Sequence, residues 1–151
     1  MKVYDVTDRF LDNAIPRKPR VDVVAHWTAG RSVGQDLNWL DKRLGGKGSV
    51  GYNLLIARNG DRYLLANIDT HFMHNSGLGS RYDRNTISFS FCTMGAKEGV
   101  TPVQVESARE FIAEIRKKYE IRKLVCHAEI NSKKPDFPEE MWKELKAALL
   151  R

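Results

Sequence analysis

Two short apolar runs in this chain each stop on a histidine. Val21-Asp-Val-Val-Ala25 leads into His26, and Lys123-Leu-Val-Cys126 leads into His127. Short β-branched or apolar runs ending in polar loop residues read as core strands. Two further strands are predicted at Gly51-Tyr-Asn-Leu-Leu-Ile-Ala57 and Arg62-Tyr-Leu-Leu65, joined through Asn59-Gly60, a strong hairpin signal. Another is predicted at Thr86-Ile-Ser-Phe-Ser-Phe-Cys-Thr93, where apolar and polar residues alternate with period two.

Segments of helical period separate these strands. Ser32 can cap a helix over about 33–44 that aligns Val33, Leu37, Leu40 and Leu44, before Gly45-Gly-Lys-Gly48 ends it. Thr101-Pro102 is a cap followed by a first-turn proline, and Val105, Ala108, Ile112, Ile115 and Tyr119 then form one stripe. Pro138-Glu-Glu140 opens a last helix with Met141, Trp142, Leu145 and Leu149 facing inward. Residues 67–85 are polar and rich in Gly, Ser and His, the composition of a long functional loop. Strands interleaved with amphipathic helices give an α/β fold with a central sheet flanked by helices on both faces. At 151 residues, one domain is the expectation.

Composition removes several classes of protein. No apolar run reaches the roughly 18 residues needed to cross a bilayer. Asp5, Asp8 and Asp12 stand where a signal peptide needs its apolar stretch, so no secretory signal is read and synthesis in the cytoplasm is expected. Two cysteines, Cys92 and Cys126, are too few for a disulfide scaffold or a four-cysteine zinc site, and their apolar surroundings predict buried free thiols. The excess of 25 basic over 19 acidic residues, a net charge of +6, predicts an anionic partner without naming it. A nucleic-acid-binding domain has only this charge and segments such as Arg116-Lys-Lys118 behind it, since no RNP-type, KH or zinc-finger spacing is present.

His26 and His127, at the ends of their strands, stand where α/β sheets commonly build ligand sites. Asp136 follows nine residues after His127. Two imidazoles and one carboxylate, with a fourth position left for water, form a known catalytic-zinc ligand set. On spacing alone the commoner case is a half-buried histidine bonded to a backbone carbonyl, and Asp136 could instead cap the last helix.

Seven motifs, in order, bear on that choice: His26-Trp-Thr-Ala-Gly30, Val50-Gly-Tyr-Asn-Leu54, Asn59-Gly-Asp61, Met73-His-Asn75, Asn85-Thr-Ile-Ser88, Cys126-His-Ala-Glu-Ile130 and Lys134-Pro-Asp136. Together they resemble the zinc-dependent N-acetylmuramoyl-L-alanine amidases of the phage-lysozyme and peptidoglycan-recognition type, and among these the T7-type phage lysozymes. The resemblance spans roughly residues 20 to 145. It implies one zinc ion per chain held by His26, His127 and Asp136. It also implies Lys134 as an electrophile for the tetrahedral oxyanion and Tyr52 as the residue that orients water or relays its proton. If Lys133 took the lysine position, the third ligand would fall on Pro135, which cannot bind metal. His74 and Thr28 are the substrate-contact candidates, with chain turning as the other role for Thr28. Glu129 is read as either a partner that orients a ligand or a solvent-facing charge.

The implied reaction is hydrolysis of the amide joining N-acetylmuramic acid to L-alanine in peptidoglycan, by a phage or prophage endolysin. Zinc would lower the pKa of a held water towards about 7. The implied organisation is an arm over residues 1–20 and a catalytic domain over residues 21–151, acting as a monomer at the cell wall or periplasm. The positive charge then aids approach to an anionic envelope. A peptidoglycan-binding module without catalysis is the main alternative.

Overall fold

The computed structural model describes residues 1–9, 19–40, 51–69, 76–134 and 136–151. Its strands are β1 (Val3–Asp5), β2 (Arg20–Trp27), β3 (Leu54–Ile56), β4 (Arg62–Leu64), β5 (Thr86–Phe91) and β6 (Glu120–Cys126). They form one mixed sheet in the order β1-β4-β3-β5-β2-β6. Only the β3–β4 hairpin is antiparallel; every other neighbouring pair is parallel. The helices are α1 (Val33–Leu40), α2 (Ser80–Asp83), α3 (Pro102–Arg116), α4 (His127–Ile130) and α5 (Glu139–Leu150).

The period-two alternation divides the sheet into two chemically different faces. Val21, Val23 and Ala25 of β2 share one face with Ile87, Phe89 and Phe91 of β5, packed with residues of α3 and α5. Each fully buried Phe or Ile there stabilises the fold by about 1.5–3 kcal/mol relative to exposure. The other face carries Asp22, Val24 and His26 from β2 and Thr86, Ser88 and Ser90 from β5, all buried. Leu37 and Leu40 of α1 close part of this second face against Leu55, Leu65 and Cys92. The sheet therefore has helices on both faces, as the sequence predicts. Its second face is polar at the centre, which is where a site can be built.

Several predicted elements have different limits. The strand predicted from Gly51 begins at Leu54, because the Asn53 side chain takes up backbone pairing just before it: Asn53 Oδ1 accepts from Ser88 N. The run predicted at Lys123 begins earlier, at Glu120, where Glu120 pairs with Arg20 across the ladder. The strand predicted over Thr86–Thr93 ends at Phe91. The first helix is seen over Val33–Leu40, and the rest of its predicted span, with the glycine-rich connection, lies outside the described residues. The polar 67–85 stretch includes the single turn α2. Inside the predicted N-terminal arm, Val3–Asp5 forms an edge strand beside β4, with Tyr4 stacked on Tyr63 at 4.8 Å. Three exposed residues carry no burial periodicity, so the sequence gives no sign of this strand.

Candidate metal centre

β2 places His26 on the polar face, opposite Ser90 of β5. His127 does not continue β6. The chain leaves the strand at Cys126, which caps α4, and His127 is the first residue of that helix. The strand thus ends where the sequence predicts, just before His127. Cys126 sits in the apolar core with Leu124, while the His127 ring lies 4.6 Å from the His26 ring. The Glu129 carboxylate supports the turn by accepting from Cys126 N at 3.0 Å and from Trp142 Nε1 at 2.7 Å. It thereby ties α4 to α5, and it also pairs with Lys146 at 3.2 Å, so Glu129 is not a free solvent-facing charge.

Asp136 comes to the same point from a different direction. Its neighbour Phe137 has φ of 68°, a left-handed conformation that a bulky residue rarely adopts. Phe137 is buried against Trp27, Phe91 and Trp142, and that packing sustains the strained backbone. With its neighbour anchored in the core, Asp136 turns its carboxylate to the two histidines. Asp136 Oδ2 lies 3.0 Å from His26 Nδ1 and 3.3 Å from His127 Nδ1. It caps no helix, since α5 begins after Pro138 without a side-chain cap.

Among the described residues, His26, His127 and Asp136 form a group able to hold a metal ion, with ligand atoms all within 4.8 Å of one another. Their chemistry fits a cation. His127 Nε2 faces the carbonyl oxygen of Ser76 at 3.2 Å. A carbonyl only accepts, so Nε2 is the nitrogen that donates to it, and Nδ1 is the one turned to the Asp136 carboxylate. A hydrogen bond or a metal ion between Nδ1 and Oδ2 accounts for their approach. Burial pushes the Asp136 carboxyl up, but hydrogen bonds from His127 and His26 outweigh it and hold the group at about 2. The carboxylate is therefore ionised and ready to act as a ligand. The two separations from Asp136, 3.0 and 3.3 Å, are close to the roughly 3.3 Å between ligand atoms of a tetrahedral ion with bonds of about 2.0–2.1 Å, within a set that spans up to 4.8 Å.

Tyr52 packs its ring 5.1 Å from that of His26. Burial, followed by the Asp136 charge, pushes its phenol up to about 12, against a small opposing effect of the Ser90 hydroxyl. Tyr52 thus keeps its proton at neutral pH and serves as a hydrogen-bond donor. Asn53 fixes this segment: Asn53 N donates to Ser88 O at 2.9 Å, while Leu65 N donates to Asn53 O at 2.9 Å. Lys134 is exposed, but its Cε lies 3.8 Å from where a Cβ on Gly77 would sit, so its chain runs back over the segment that contacts His127.

Thr28 is two residues beyond His26, and its hydroxyl accepts from Gly30 N at 3.1 Å. It also hydrogen-bonds the Asp36 carboxyl, which burial raises despite help from Thr28 and Cys92. This is the geometry of a turn: Ala29 has φ of 59°, and a Cβ at Gly30 would collide with the Asp36 carboxylate. His74 lies outside the described residues. Sequence reasoning missed Asn53, Ser76, Asp83 and Asn131. Asn53 could have been found as the polar residue inside an apolar run; Ser76 acts through its backbone carbonyl, which leaves no side-chain signal.

The fold recurs in solved structures. The amidase LysC from Clostridium intestinale URNW superposes with a TM-score of 0.74 at 20% identity, covering 99% of this chain and 98% of that one. Peptidoglycan recognition protein-LE, solved with tracheal cytotoxin, gives 0.73 at 18% identity, with 96% and 92% covered. The Ph2119 endolysin from Thermus scotoductus MAT2119 bacteriophage Ph2119 gives 0.69 at 15% identity, with 97% and 98% covered. No curated protein sequence matches the chain. Family membership rests instead on residues 17–140, which match the N-acetylmuramoyl-L-alanine amidase family over most of the molecule. The chain belongs to the N-acetylmuramoyl-L-alanine amidase family.

Proposed function

We propose that this protein is a zinc-dependent hydrolase that cleaves the amide between N-acetylmuramic acid and L-alanine in bacterial peptidoglycan, as a phage or prophage endolysin. The observation that carries this reading is the convergence of His26 Nδ1 and His127 Nδ1 on one ionised oxygen of Asp136. In this reading His26, His127 and Asp136 hold one zinc ion, and residues 21–151 make up the catalytic domain behind the 1–20 arm. When bound, zinc supplies a Lewis acid that polarises the scissile carbonyl and acidifies a water.

The remaining roles belong to side chains. Tyr52 keeps its phenolic proton and donates a hydrogen bond into the reaction centre, orienting the water or relaying its proton. The Lys134 side chain lies over Gly77, from where its ammonium can move to the carbonyl oxygen and offset the charge that develops there. Choosing Lys134 over Lys133 is supported by the seat of Asp136 two residues later. Thr28 is better supported as the residue that shapes the loop after His26 than as a substrate contact. His74 stays the candidate for contact with the substrate.

The competing reading is a wall-binding module without turnover, since some similar structures are peptidoglycan recognition proteins solved with a peptidoglycan fragment. A complete and converging ligand set opposes it. Mass spectrometry of digested peptidoglycan distinguishes the two. Free stem peptides beginning at L-alanine, with intact glycan strands, are expected from the zinc-loaded protein. Bound zinc without peptide release would overturn the enzyme reading, and cut glycan would reassign the bond. Action at the cell wall accords with this chemistry, and no helix among the described residues is long and apolar enough to cross a membrane. We expect the protein to act as a monomer, with light scattering of the zinc-loaded protein as the check.

A further inference from the structure

We propose that Asn131 is a positioning residue that, through the Ser76 carbonyl, sets the orientation of the His127 ring; this rests on the metal-site reading above. Ser76 is fully buried and its peptide is held from two sides. Its N–H donates to Asp83 Oδ1 at 3.1 Å, and its carbonyl accepts from Asn131 Nδ2 at 3.0 Å as well as from His127 Nε2 at 3.2 Å. Asp83 is itself buried, and its own carbonyl accepts from the Thr86 hydroxyl at 2.8 Å at the start of β5. The Ser76 carbonyl is therefore a fixed acceptor that anchors Nε2 of His127. Nδ1 is left as the nitrogen that faces Asp136.

Three observations single out Asn131. Its amide orientation is determined by chemistry: Nδ2 must be the end at the Ser76 carbonyl, because Oδ1 accepts from Lys133 N at 3.2 Å. Its backbone carbonyl accepts from Lys134 N at 2.9 Å, and its own N–H donates to His127 O at 2.9 Å. One residue thus links the metal-facing histidine to the turn that carries Lys134 and leads to Asp136. Finally, Gly77 has φ of 71°, and a Cβ there would meet Asn131 Nδ2 at 2.9 Å. The left-handed backbone favours glycine here, and any larger residue would press on this amide.

Asn131→Asp is the informative variant because it is nearly isosteric. It keeps the oxygen that accepts from Lys133 N and replaces the donor to Ser76 O with an acceptor. The anchor is read from the imidazole Nε2–H of His127 in the zinc-loaded protein, where a metal at Nδ1 leaves the ring proton on Nε2. We expect this proton to be protected from exchange with water in the wild type. We expect Asn131→Asp to bring it into fast exchange and to bind zinc roughly 10- to 100-fold more weakly, the usual effect of losing a partner behind a ligand. A wild-type Nε2–H in fast exchange would overturn the proposal without reference to any variant. So would a folded Asn131→Asp protein with unchanged protection, whatever its zinc affinity. If the Nε2 proton is protected but zinc-loaded wild-type protein releases no stem peptide, the amidase reading fails and the positioning role of Asn131 stands.

Discussion

At the scale of single residues, the two lysines of Lys133-Lys134 offer the sharpest test of the proposed chemistry. Both are exposed and both backbone N–H groups bond to Asn131, yet Lys134 is the one whose side chain passes over Gly77. Lys134→Ala is expected to retain stoichiometric zinc while kcat falls roughly 10²- to 10³-fold, the size of losing one oxyanion donor. Lys133→Ala should remain near wild type, and zinc content measured beside kcat for both variants decides the matter. A dead Lys133 variant would move the catalytic role one residue. Tyr52→Phe removes one hydroxyl and leaves the ring against His26. Its kcat should drop by roughly 10²-fold or more with zinc affinity little changed, as expected for a group acting in proton transfer. If zinc is lost instead, Tyr52 supports the ligand set rather than the reaction.

At the scale of elements, α3 shows how local sequence chemistry builds the scaffold under the site. Thr101 Oγ1 accepts from Gln104 N, and Gln104 Oε1 accepts from Thr101 N, a reciprocal capping box with Pro102 in the first turn. Gln104 is fully buried and its amide also donates to the carbonyls of Ile56 and Cys92, at the ends of β3 and β5. One cap therefore stitches a helix to two strands. Thr101→Ala should cost about 1 kcal/mol, seen as a lower midpoint in urea with an unchanged slope.

The elements with strong local chemistry were legible in the sequence: the capped α3, the alternating β5, the Asn59-Gly60 hairpin and the apolar stripe of α5. The elements set by distant contacts were not. β1 is three exposed residues held by β4, and the short helix α4 that begins at His127 depends on Glu129 reaching back to Cys126 N. The site divides along the same line. Ordered motifs point to its candidate ligand residues, whereas the Ser76 carbonyl and the Phe137 backbone beside them have no side-chain signature of that role.

At the scale of the whole molecule, the question is what the net charge of +6 contributes. Several basic residues are already paired: Arg62 with Glu114, Arg58 with Glu98, Lys118 with Asp69, and Arg122 with the buried Asp22. The excess charge is a property of the surface, and its effect on approach to an anionic wall is long-range. Such attraction is screened over about 8 Å at physiological salt and about 3 Å at 1 M. Cleavage of intact peptidoglycan sacculi should therefore slow as salt rises, through kcat/KM, while cleavage of a small soluble muropeptide changes far less. Rates on both substrates across a salt series separate steering from recognition. A parallel decline would place the dominant electrostatics inside the cleft, among the groups that touch the substrate. Indifference of both would leave the surplus charge with no part in catalysis. The expected divergence follows from the architecture: of the proposed ligands, His26 and His127 are buried and Asp136 is half-buried, so long-range charge can raise the rate of encounter but cannot substitute for the geometry that the three provide.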